Sequence, residues 1–214
     1  MLKGIIFDLD GTLLNTIDDL KNSVNYALKK FNFPERSLPE IKSFVGDGVK
    51  KLIERAVPPE TDVKTIENCL EIFKENYSLN MYNLTCPFNG ILEILMEIKQ
   101  DGLKIAVVSN KFDSAVKNLC KKYFPNFVDV AVGQSEIISP KPMPDGVLKV
   151  IDELKINKEN VIYIGDSDVD VKTAKNANLK CIGVTWGFRD KSFLDGADFI
   201  INQPCDIIKI IRSL

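Results

Sequence analysis

Gly4-Ile5-Ile6-Phe7-Asp8-Leu9-Asp10-Gly11-Thr12 opens the chain with a short apolar run that stops at two carboxylates and a glycine. A run that is apolar at consecutive positions predicts a strand covered on both faces, because a half-exposed strand alternates apolar with polar. Similar runs recur at Lys104 to Val108, Val128 to Val132, Val161 to Ile164 and Cys181 to Thr185, and the first extends from Lys3 to Phe7. Segments of helical period lie between them, with Ile91, Leu92, Ile94, Leu95 and Ile98 in one and Val147, Leu148, Ile151 and Leu154 in another. Such alternation specifies an α/β fold around a parallel sheet.

Residues 16–85 break the alternation. They hold no convincing strand, and helical spacing appears at Leu20, Val24, Ala27, Leu28 and Phe31 and again at Val49, Leu52, Ile53 and Ala56. Pro34, Pro39, Pro58 and Pro59 divide the stretch into several helices, and Cys86-Pro87-Phe88-Asn89-Gly90 marks the return to the sheet. The expected organisation is a core made of residues 1–15 and 86–214, interrupted by a helical domain over 16–85.

Composition removes several function classes. The chain has no histidine, which excludes serine-histidine triads and histidine nucleophiles and takes away the commonest metal ligand. No cysteine has an arginine six residues later, and no glycine-rich loop ending in Gly-Lys-Ser/Thr is present. A net charge of -2 lacks the basic excess of a nucleic-acid binder, so no nucleic-acid partner is expected. The doublets Lys29-Lys30, Lys50-Lys51 and Lys121-Lys122 read as solvated helix faces. Five scattered cysteines suggest reduced, buried thiols in a cytoplasmic protein, and the first apolar run is too short for a membrane span or a signal-peptide core. Catalysis would have to run on carboxylates, lysine, hydroxyls or a metal held by oxygen.

Suitable groups follow three of the expected strands: Asp8 to Asp10 the first, Ser109-Asn110 the second, Gly165-Asp166 the fourth. An open parallel sheet brings the carboxyl ends of its strands to one edge, so these segments should converge. Asp8 and Asp10, two residues apart, can act as a nucleophile and a proton donor, although aspartates also serve turns. Asp166, Asp168 and Asp170 are spaced to gather oxygen ligands, and Asp170 also suits a helix start. A calcium loop is excluded by Val171 and Ala177, where that loop needs glycine and glutamate. Mg²⁺, which takes few carboxylates and keeps waters, is the expected ion. Lys141, between Pro140 and Pro142, would be a fixed cation; a lone loop lysine is more often solvated surface.

Taken in this order, the segments resemble the motifs of the haloacid dehalogenase superfamily across the whole chain: Phe7 to Leu13, Val108-Ser109-Asn110, Lys141-Pro142 and Gly165 to Asp170. The resemblance implies a Rossmann-like core with an inserted α-helical cap. It implies Asp8 as nucleophile, Asp10 as general acid and base, and Ser109 and the Asn110 amide as hydrogen-bond donors that hold the transferring phosphoryl group. Lys141 would neutralise charge between Asp8 and phosphate. Mg²⁺ would be bound by the Asp8 carboxylate, the Asp10 carbonyl and Asp166, with Asp170 orienting a bound water or Lys141.

Phe44 to Leu52 followed by Glu54-Arg55-Ala56 resembles the cap segment of phosphoglycolate phosphatases. There Gly46 and Gly48 permit close backbone approach, and Lys50 and Arg55 are candidates to meet the substrate. Asn15, and Trp186-Gly187-Phe188-Arg189, depart from that subfamily's pattern. The expected activity is hydrolysis of a small phosphorylated metabolite, phosphoglycolate first. A phosphosugar mutase resembling β-phosphoglucomutase and a non-catalytic partner-binding protein are the alternatives. Cap opening is expected at Asn15 to Ile17 and Thr85 to Gly90.

Overall fold

The computed structural model describes residues 1–214. The chain runs β1 (Gly4–Phe7), β2 (Leu14–Asn15), α1 (Ile17–Lys30), α2 (Leu38–Phe44), α3 (Val49–Ala56), α4 (Val63–Asn80), β3 (Cys86–Pro87) and α5 (Ile91–Gln100). It continues with β4 (Lys104–Phe112), α6 (Asp113–Tyr123), β5 (Val130–Gln134), α7 (Asp145–Leu154), β6 (Val161–Gly165), α8 (Asp168–Ala177), β7 (Lys180–Val184), β8 (Phe199–Ile201) and α9 (Cys205–Ile211). Six strands form a parallel sheet in the order β5-β4-β1-β6-β7-β8. The strand predicted from the opening motif is central: Phe7 is in register with Val107 on one side and Ile164 on the other.

The five expected strands are present, with two differences. The expected second strand does not end at Val108 but runs through Ser109, Asn110 and Lys111 to Phe112, with its register against β5 slipping between Val108 and Phe112. Apolar periodicity marked its buried part only, and the polar continuation read as loop. A sixth strand, β8, was not expected; its three residues pair at the sheet edge, too short to give a pattern. Helical periodicity overstated burial at two positions, since Leu92 and Leu148 face solvent.

Helices α1 to α4 lie between β2 and β3, which pair antiparallel with Asn15 opposite Cys86 and so hold the two connections side by side. The connections are pinned further by Asp19, whose buried carboxylate accepts the backbone N–H groups of Leu84 and Thr85 and the Thr85 hydroxyl. One apolar cluster runs from Ile5, Phe7 and Ile105 in the sheet through Leu20, Val24, Leu28, Phe73 and Tyr77 in the helices. No helix is long and apolar enough to cross a membrane. Cys69, Cys120 and Cys181 are buried as expected, but Cys86 and Cys205 are exposed, because they fall where chain segments join at the surface.

Candidate active site

Asp8 is the first residue beyond β1, and its N–H donates to the carbonyl of Ile164 at 2.9 Å, which fixes it at the junction of the central strands. The chain then turns sharply. Gly11 adopts φ +87°, and a side chain there would collide with the Asp166 carboxylate. Asp166 follows β6, accepts the N–H of Phe188 at 2.7 Å, and is flanked on its other side by Gly187, where a Cβ would again collide with it. Two glycines from distant segments thus leave space for one carboxylate.

Asp170 lies in the first turn of α8. One carboxylate oxygen accepts from the Ser167 N–H and hydroxyl, capping the helix, and the other accepts from Lys141 Nζ at 2.7 Å and the Tyr163 hydroxyl at 3.0 Å. The helix-start reading of this acid therefore holds, and the same carboxylate also meets Lys141 and Tyr163. Asp168, by contrast, faces outward and pairs with Lys172 at 2.6 Å.

Lys141 is buried, with Nζ 2.9 Å from Asp8 Oδ1 and 3.2 Å from the Tyr163 hydroxyl. Its backbone is held by the Asn110 side chain, whose Oδ1 accepts the Lys141 N–H at 2.6 Å while Nδ2 donates to the Lys141 carbonyl at 3.0 Å. The same Nδ2 donates to the carbonyl of Gly46 at 3.0 Å, joining the sheet edge to the helical segment. Ser109 is buried next to it in the wall of the same cavity.

Asp10 has other partners. Its carboxylate accepts from Lys111 Nζ at 2.8 and 3.0 Å and from the Thr16 hydroxyl at 2.7 Å. Lys111, Tyr163 and Thr16 were not among the expected site residues. A lysine directly after Ser109-Asn110 and a tyrosine inside the aliphatic run Val161 to Ile164 were the available signals, and each is also an ordinary residue of a strand end or a core.

One cavity unites these groups. Asp8, Asp10, Ser109, Asn110, Lys141 and Asp166 line it from the sheet side, with Lys111, Ser167, Phe188 and Arg189. Leu20, Val45, Gly46, Gly48, Val49 and Leu52 line it from the helical side. Lys50 and Arg55 do not. Val49, Leu52, Ile53 and Ala56 take the inward face of α3, which leaves Lys50 in solvent, and Arg55 is occupied by Asp47 at 2.6 Å and the Phe44 carbonyl at 2.8 Å.

Burial dominates the electrostatics. It pushes the Asp8 carboxyl up to about 7, with Lys141 opposing and Asp170 adding to the shift. Burial, then repulsion from Asp170 and Asp8, holds Asp166 well above the usual carboxylate range. For Lys141 burial works against the charge, but Asp170 and Asp8 outweigh it and keep the ammonium well above its ordinary value. One lysine thus leaves negative charge uncompensated among the three acids. Oxygen atoms of Asp8, Asp166 and Asp170 lie within 4.8 Å of one another, and Asp8 Oδ1 has no well-angled hydrogen bond. A hard dication fits this all-oxygen donor set.

Comparisons with known proteins give the chain a family. The family model for haloacid dehalogenase-like hydrolases matches residues 5–184. The chain is 30% identical over 213 residues to a phosphoglycolate phosphatase of Aquifex aeolicus, covering 99% of this chain and 98% of that one. It is 27% identical over 215 residues to the pyrophosphatase PpaX of Listeria monocytogenes, covering 98% and 96%. Among solved structures, a Lactobacillus delbrueckii protein provisionally named a phosphoglycolate phosphatase superposes with a TM-score of 0.92 at 33% identity, covering 98% of both chains. With its fold, its buried acids and these likenesses in agreement, the chain belongs to the haloacid dehalogenase-like hydrolase family, among that family's phosphatases.

Proposed function

We propose that the chain hydrolyses a small phosphate monoester through an aspartyl phosphate on Asp8, with phosphoglycolate the leading substrate. The observation that carries this reading is Lys141 bridging Asp8 and Asp170 next to Asp166, in a cavity that Ser109 and Asp10 also line. Asp8 attacks phosphorus while Lys141 offsets the charge that accumulates between the two anions. Ser109 and the Asn110 amide hold the phosphoryl oxygens. Asp10 gives a proton to the departing oxygen and takes one from the water that later cleaves the aspartyl phosphate. Asp170, buried with both oxygens hydrogen-bonded, positions Lys141. Asp8, the Asp10 carbonyl and Asp166 would hold Mg²⁺, which suits few carboxylates and retained waters. When bound, it supplies Lewis-acid stabilisation of the phosphoryl charge.

Small size is supported by the cavity, about 40 Å³, which holds a few water-sized groups. Residues 16–85 serve as a cap that closes over the site, hinged where β2 and β3 pair. Five unpaired cysteines support a reducing compartment such as the cytoplasm. The test is phosphate release from phosphoglycolate, hexose phosphates, nucleotides and pyrophosphate, with Mg²⁺ present and then chelated. Metal-dependent release led by phosphoglycolate is expected; pyrophosphate in the lead would transfer the chain to the activity named for its Listeria relatives, and release that survives chelation would remove the metal.

A further inference from the structure

One buried cation of the cavity has no task in the proposed hydrolysis. The side chain of Lys111 is 1% exposed, with Nζ 2.8 Å from the nearer Asp10 oxygen and 4.5 Å from the centroid of the Tyr77 ring. An ammonium so buried needs an anionic partner, and Asp10 is that partner here. Yet a carboxylate engaged by an ammonium through both oxygens is not free to reach a leaving oxygen. The other cations near the cavity have fixed attachments that leave the proton donor alone. Lys141 is held between Asp8 and Asp170, and the Arg189 guanidinium donates to the carbonyls of Ser43 and Val45.

We propose that Lys111 determines specificity by binding a second anionic group of the substrate, a carboxylate on the carbon chain of the ester, in exchange for Asp10. The proposal rests on the phosphatase reading and names the substrate class it leaves open. No covalent bond changes in the exchange; one ion pair replaces another in the same desolvated place. Asp10 then keeps the Thr16 hydroxyl on Oδ1, at 2.7 Å, and its Oδ2 loses its only hydrogen-bond donor and becomes available. A neutral ester of the same size leaves Lys111 on Asp10, so it loses both a binding contact and the release of the proton donor. A site built around a buried polar partner rejects the analogue that lacks it.

The test compares kcat/KM for 2-phosphoglycolate and 2-phosphoglycolamide, which share shape and leaving oxygen and differ in the charge. The wild type is expected to favour the carboxylate by about 10- to 100-fold, the range of a charged hydrogen bond. In Lys111→Met or Lys111→Gln the preference should shrink to within about threefold, whereas a purely structural role would lower both substrates together and keep the ratio. Equal use of the two by the wild type, or an undiminished ratio in a folded variant, overturns the proposal and leaves the phosphatase reading intact. Absence of phosphate release from either compound and from p-nitrophenyl phosphate overturns both.

Discussion

The two walls of the cavity are made differently. The sheet wall carries the ionisable groups, each fixed by an ion pair or a backbone donor: Lys141 between Asp8 and Asp170, Asp166 under Phe188, and Asp10 against Lys111. The helical wall, Leu20 with Val45 to Leu52, presents apolar side chains and glycine backbone and no charged side chain. On the proposed reading the first wall carries the chemistry and, through Lys111, the choice of charge, whereas the second can only sort esters by size and by closure. Substitutions of the acids and Lys141 should therefore separate kinetically from those on the helical wall, the former lowering kcat and the latter raising KM.

The largest effect is expected at Asp8. Asp8→Asn should reduce turnover by about 10⁴-fold or more, as for loss of other nucleophiles, while circular dichroism shows the fold retained. Asp10→Asn should cost about 10²- to 10⁴-fold on alkyl phosphates, the usual share of acid and base catalysis. With p-nitrophenyl phosphate, whose leaving group needs no proton, the first-turnover release of p-nitrophenol should fall much less, while hydrolysis of the aspartyl phosphate stays slow; an equal loss of the first step on the two esters would mean that Asp10 has another role.

Next comes a pH-dependent response to metal. Because burial raises Asp8 from 3.8 to about 7 and raises Asp166 as well, the metal-free fold keeps protons that the unfolded chain releases. The contribution of these two acids to its stability is therefore fully present below about pH 4 and declines as pH rises toward 7. A dication binds the charged carboxylates, so its stabilisation should grow across the same window. At about a hundredfold excess over its dissociation constant, Mg²⁺ should raise Tm by roughly 5–10 °C at pH 8. At pH 5 the shift should be clearly smaller; equal shifts would mean that it binds elsewhere.

On the helical wall the effects are smaller. Gly48 has φ +89°, and a Cβ there would press on the Gln134 side chain at 2.7 Å and the Asn110 carbonyl at 3.3 Å. Gly48→Ala should raise KM by up to about tenfold with kcat nearly unchanged. Lys50→Ala should stay within about twofold in both, as for other solvated charges.

Much of the sheet wall was legible because chemistry and strand signals coincide there. An apolar run that ends in Asp8, and another that ends in Asp166, state both where the strand stops and what stands at its end. Lys111 was not legible, because a lysine reads as surface unless its partner is known, and Asp10 lies 101 positions away in sequence. The role of the Asn110 side chain, which holds Lys141 to the Gly46 loop, was hidden for the same reason. On the helical wall glycine pointed to Gly46 and Gly48, but nothing in the spacing alone settled the rotation of α3. Its apolar residues turned Lys50 to solvent, and Arg55 closed on Asp47. Long-range pairing, not local propensity, separated the residues that were found from those that were missed.

The most direct measurement is chemical trapping at position 8. Asp10→Asn enzyme, quenched in acid during turnover of p-nitrophenyl phosphate and reduced with borohydride, should carry homoserine in place of Asp8 when its peptides are analysed by mass spectrometry. Unmodified Asp8 in enzyme that is releasing phosphate would contradict the covalent mechanism and the assignment of the sheet wall to catalysis.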